Sequence, residues 1–119
     1  MKGRGIAYPP PPAQVAPYVE VFGAELAIDF LLTFGGADLY LTDSPKDRSR
    51  LVALVGKEKA AALGRQAHLL QRRVPLGKPW LARCLAARGL SRAEIARTLH
   101  VTDVTVRGWL RADKPREAG

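Results

Sequence analysis

Leu90-Ser-Arg-Ala-Glu-Ile-Ala-Arg-Thr-Leu-His-Val-Thr-Asp-Val-Thr-Val-Arg-Gly-Trp-Leu-Arg111 is the stretch on which the reading of this 119-residue chain turns. Ile95, Ala96 and Leu99 recur at the spacing that puts them on one face of a short helix. Ser91 and Glu94 frame its start as a capping box, in which hydroxyl and carboxylate each satisfy a free backbone N–H. Thr102 offers a cap to a second helix, whose apolar face is Val106, Trp109 and Leu110. A short link around His100 and Val101 joins the two. Two short helices, a tight turn and a small residue at the crossing, Ala96, predict a helix-turn-helix. His100 stands where glycine is the common residue, so the backbone there is expected in a region that histidine tolerates less easily. An ordinary packed pair of helices would reproduce the apolar spacing but gives no reason for this choice of residues.

If Thr102 opens a recognition helix, its first residues face the major groove while Val106 and Trp109 stay in the core. Thr102, Asp103, Thr105, Arg107 and Arg111 then point outward. Arg107 has the fork geometry for bidentate reading of guanine. Thr105 and Val104 suit a thymine methyl, and Thr105 also a phosphate. Gly108 permits close approach. Asp103 repels phosphate, so it either accepts from a cytosine amino group or complements the helix end. Ser91 and Arg92, opening the preceding helix, suit phosphate contacts.

The charge agrees with this placement. The formal net charge is +8. Residues 1–44 carry Lys2 and Arg4 against Glu20, Glu25, Asp29, Asp38 and Asp43, a net of −3, whereas residues 45–119 hold the other 17 basic and six acidic side chains, a net of +11. A basic C-terminal part is the electrostatic footprint of a nucleic-acid binder, where a generic solubilising surface would spread the charge. The single cysteine, Cys84, excludes an internal disulfide and lies in an apolar helical run, as a small buried hydrophobe does. That suits a reducing cytoplasm. Met1 to Arg4 lead into Tyr8 and four prolines rather than an apolar core, so no signal peptide is expected. The apolar run from Leu26 to Phe34, broken by Asp29 and Thr33, is too short to span a bilayer.

The rest of the chain reads as a helical framework. Residues 1–16, with Gly3, Gly5 and Pro9 to Pro12, are expected to be a flexible or polyproline-like lead. From Pro17, Val19, Phe22, Leu26 and Phe30 follow helical spacing. Val21, Ile28, Leu31 and Leu32 widen the apolar surface so far that a second copy of the chain is expected to cover part of it. Phe34-Gly35-Gly36 ends that helix. Ala37 to Thr42 alternate apolar and polar, the period of a short β-strand. Ser44-Pro45-Lys46-Asp47 has the pattern of a new helix start, with Leu51, Val52, Leu54 and Val55 inward and Gly56 as the stop. A helix from Lys57 turns Ala60, Leu63 and Ala67 inward, with Leu70 next in that series. Val74 precedes a proline and is expected to be extended. Pro79 opens a helix that buries Trp80, Leu81, Cys84 and Leu85 and braces the two that follow. The fold class is therefore mainly α, with an N-terminal dimerisation part containing one short strand and a C-terminal three-helix unit. The divisions are 1–16, 17–75, 76–112 and a polar tail at 113–119.

This order of parts resembles the Mor/C family of phage transcription activators. The resemblance rests on Glu25 to Gly36, Leu39-Tyr40-Leu41, Arg50 to Gly56, Arg73-Val74-Pro75 and Leu90 to Leu110, and spans about residues 19–111. Its most specific element is Phe34-Gly35-Gly36 with Leu39-Tyr40-Leu41 directly after it. The resemblance implies a homodimer in the bacterial cytoplasm that binds double-stranded promoter DNA and helps host RNA polymerase begin transcription. Two departures mark this chain. Ala67-His68-Leu69-Leu70 lacks the glycines usual in a second helix–Gly-Gly–strand unit, and Thr42 stands where proline usually ends the strand.

An enzyme is not expected. His68 and His100 are far apart, no Cys/His/Asp cluster has metal-ligand spacing, and Gly35-Gly36 precedes a strand rather than the helix a phosphate-binding loop requires. Neither a metal nor a cofactor is expected. Thr105 to Leu110 would also suit the DNA-binding piece of a recombinase or transposase, though no acidic catalytic domain accompanies it in 119 residues; a third reading is a protein-interaction module that uses its helix-turn-helix to grip another protein.

Overall fold

The computed structural model describes residues 6–113, with side chains through Arg111. The first five residues of the proline-rich lead and the tail from Lys114 lie outside them. Among the described residues there are seven α-helices and one 3-10 turn. The described residues fall into two compact units, one of residues 10–77 and the other joining residues 6–9 to 78–113.

The larger unit begins with α1 (Ala16–Phe22) and α2 (Ala24–Phe34). Sequence periodicity reads these as one helix; Gly23 breaks it, with φ of 81° and ψ of 159°. Gly56 has nearly the same conformation between α3 (Arg50–Val55) and α4 (Lys57–Arg65). A side chain disfavours such angles, so glycine at each joint lets one helix follow another at once. Phe30 stacks on Tyr18 at 5.2 Å between ring centroids and meets Phe22 and Phe34 at 5.0 and 5.4 Å. Such ring pairs add to the burial that holds α1 on α2. Ala27, Ile28, Leu31, Ala60 and Leu63 join them in the core, and burial pushes the Tyr18 phenol above its ordinary pKa. The apolar breadth of α2 is therefore covered largely by its own chain. Leu32, at 38 % exposure, is its one large exposed apolar residue.

Three expectations are corrected here. Residues 37–42 form no strand: Gly36 N–H donates to the Val74 carbonyl at 2.7 Å and Val74 N–H to the Ala37 carbonyl at 2.9 Å, and the pairing stops there. The chain then turns to lay Thr42 against Gly64, where a Cβ would run into the Thr42 carbonyl. Next, α3 starts at Arg50 rather than at Pro45. Ser49, not Ser44, caps it by accepting from Val52 N–H at 3.0 Å. Asp47 meanwhile meets Lys57 at 2.7 Å, and the hydrogen bond and charge of that ammonium hold its carboxyl below the ordinary range. Finally, α4 ends at Arg65 and a 3-10 turn, Ala67–Leu69, follows, so Ala67 is only half-buried.

The lead also differs from expectation. Pro10 to Val15 belong to the larger unit, and Val15 is fully buried. Residues 6–9 belong to the smaller unit, where the Trp80 indole N–H donates to the Pro9 carbonyl at 2.8 Å and the Arg88 guanidinium donates to the Tyr8 hydroxyl at 3.1 Å.

Candidate nucleic-acid interface

The smaller unit consists of α5 (Lys78–Ala87), α6 (Arg92–Leu99) and α7 (Asp103–Asp113), with both later helices packed on α5 and on each other. At the start of α6, Glu94 N–H donates to the Ser91 hydroxyl at 3.2 Å and Ser91 N–H donates to the Glu94 carboxylate at 2.8 Å, closing the reciprocal box. The Ser91 backbone N–H, and after it the Ser91 side chain, hold the Glu94 carboxyl below its ordinary pKa. Ile95, Ala96 and Leu99 are buried. His100 ends the helix in the left-handed region at φ 60° and ψ 47°, the strained position expected of it. It brings the Val101 N–H back to the Ala96 carbonyl at 3.0 Å.

Thr102 then caps α7: its hydroxyl accepts from Thr105 N–H at 3.1 Å and pairs with the Thr105 hydroxyl at 2.8 Å. Of the apolar set foreseen for α7, Val106 is fully buried, while Trp109 and Leu110 are half-buried. They sit to either side of Val106 around the helix, toward its solvent edges.

Ser91, Arg92, Thr102, Asp103, Val104, Arg107, Gly108 and Arg111 are exposed. Val104 is 65 % exposed, an unusual state for valine. A Cβ built on Gly108 meets nothing within 4 Å. With Arg107 and Arg111 beside them, Val104 and Gly108 make an outward surface of apolar contact, bare backbone and fixed positive charge. Arg92, Arg107 and Arg111 flank one shallow cleft with Leu110 in its lining. Sequence spacing alone does not bring Arg92 to Arg107, because the turn at His100 sets that approach.

One site residue differs from expectation, and another takes one of the two roles expected of it. Thr105 is half-buried and its hydroxyl is engaged by Thr102, so it serves the cap rather than facing outward. Asp103 is the first residue of α7 and meets Arg92 at 3.5 Å, which fits the helix-end role rather than cytosine reading. Residues 78–111 hold seven basic side chains and two acidic ones, Glu94 and Asp103, and both acids are engaged locally. Asp103 offsets part of the charge of Arg92, and the other six basic side chains of this stretch outnumber its one remaining acid, Glu94.

Among the described residues no group of three or more His, Cys, Asp or Glu could hold a metal ion, and no helix is long and apolar enough to cross a membrane. Comparison with protein families, curated proteins and solved structures finds no match to this chain.

Proposed function

We propose that this chain is a sequence-specific double-stranded DNA-binding transcription regulator that places α7 in the major groove. The observation that carries the reading is the surface of α7: a glycine that no internal packing requires, beside an exposed valine and two exposed arginines, on a helix capped and buttressed by α6. In this arrangement Val104 meets thymine methyls, Arg107 reads guanine, and Gly108 lets the duplex come close. Arg92, Arg111 and the start of α6 hold phosphates. Engagement of Asp103 by Arg92 keeps that acid from repelling the backbone.

The resemblance to Mor/C activators extends the proposal to a phage or prophage homodimer, acting in the bacterial cytoplasm and touching RNA polymerase. The dimer rests on that resemblance and on the small base-reading surface of one helix. The breadth of α2 no longer argues for it, since the chain itself buries most of that face.

Selection of bound sites from random duplex tests the whole reading. Two related half-sites about one helical turn apart are expected. Affinity for the selected site should fall steeply with rising salt as phosphate-bound counterions are released. A module that grips another protein instead would enrich no sequence, and that outcome would overturn the proposal.

A further inference from the structure

The larger unit contains a cavity of about 510 Å³, within the range of small-molecule sites, between the end of α2, the loop 39–46 and the first turn of α3. Phe34, Leu51 and Ala60, all buried, give it apolar walls. The charges around it are sorted. Lys46 and Arg50 line it, and no Asp or Glu does. The acids in and flanking this loop face elsewhere: Asp38 meets Arg72 at 3.0 Å, Asp47 meets Lys57 at 2.7 Å, and Asp43 lines a neighbouring groove beside Lys57. Among the described residues neither Lys46 nor Arg50 has an acidic partner. The Arg50 guanidinium lies over the Phe34 ring, 5.4 Å from its centroid, which sets the positive charge against an apolar wall. The loop that forms the rim is anchored on both sides of the cavity, by Thr42 against Gly64 and by Asp47 on Lys57.

An apolar interior with two cations and no anion selects a ligand of the inverse kind. We infer that this cavity binds a small amphipathic carboxylate, its aliphatic or aromatic body against Phe34, Leu51 and Ala60 and its anionic end at Arg50 and Lys46. The site would give the chain a small-molecule input, and it stands on residues separate from those proposed to meet DNA.

The test uses the full chain labelled with 15N and titrated with octanoate and 3-phenylpropanoate, each beside its neutral amide. The carboxylates are expected to shift the backbone resonances of Leu51 and Ala60 saturably, and the amides to bind at least tenfold more weakly. Lys46→Gln with Arg50→Gln should abolish most of that preference while the remaining spectrum stays native. Ala60→Leu, which fills the cavity and leaves both cations, should weaken acid and amide alike. Equal binding of acid and amide, undiminished binding by the charge variant, or no saturable shift with either carboxylate would each overturn the inference.

Discussion

Single residues separate what the chain needs for itself from what it presents outward, and two glycines make the contrast measurable. Gly64 and Gly108 both lie inside helices, where replacing glycine by alanine ordinarily stabilises by about 0.5–1 kcal/mol. At Gly64 the added methyl would strike the Thr42 carbonyl. Gly64→Ala is therefore expected to destabilise by about 1–3 kcal/mol, read as a lower denaturation midpoint. At Gly108 the methyl enters open space, so Gly108→Ala should raise the midpoint by the ordinary helix gain and at the same time weaken duplex binding. A Gly108→Ala protein that is more stable and binds its selected site unchanged would remove the close-approach role. Arg107→Ala makes the matching test of readout, with a loss of about 1–3 kcal/mol that relaxes specificity at one base pair. Equal loss on selected and random duplexes would reassign Arg107 to phosphate.

Helix ends are the scale at which sequence was most and least legible. The box Ser91–Glu94, the Thr102 cap and the strained His100 were all readable, because each depends on residues within four positions of one another. Ser44 misled for the same reason: Ser44-Pro45 and Ser49-Arg50 both offer a local start, and the choice between them is made by Lys57 holding Asp47 and by Thr42 resting on Gly64, partners distant in sequence. The strand failed likewise, since alternation in Leu39-Tyr40-Leu41 describes a half-exposed extended segment whether or not a partner strand exists. Tyr40, 87 % exposed, has no neighbour that the pattern could have named. The box itself carries a pH dependence. The Glu94 pKa is lowered on folding, by the Ser91 backbone N–H first and its side chain second. Its contribution is therefore fully present above the ordinary glutamate range and is lost as pH falls through the lower, folded value. Thermal midpoints measured across acidic pH should show this decline, and Glu94→Gln, which can still accept from Ser91 N–H, should flatten that part of the curve. Ser91→Ala should cost about 1 kcal/mol at neutral pH.

At the scale of the whole molecule, one compact unit is made from the two parts of the chain that are farthest apart in sequence. Pro9 and Trp80 are 71 positions apart and Tyr8 and Arg88 are 80 apart, yet both pairs are hydrogen-bonded within the smaller unit. A run of prolines reads locally as a lead, because its extended form needs no partner; what it docks on cannot be seen from its own composition. The docking has a definite function for Trp80, which is 1 % exposed and whose indole N–H would otherwise be buried without an acceptor. Arg88 adds a hydrogen bond to the Tyr8 hydroxyl and lies 5.9 Å from the centre of its ring. Deleting residues 1–9 is therefore expected to destabilise the α5–α7 unit by about 1–3 kcal/mol, the scale of a lost buried hydrogen bond with a cation–π contact. In a Trp109→Phe background, where Trp80 is the remaining tryptophan, the deletion should also shift fluorescence to longer wavelength as water reaches the indole. Unchanged emission and an unchanged midpoint would mean that Tyr8 and Pro9 do not cover Trp80 in solution, and the proline run would return to being a lead. If both change, Tyr8 and Pro9 are part of the support of α5, on which the proposed recognition helix packs.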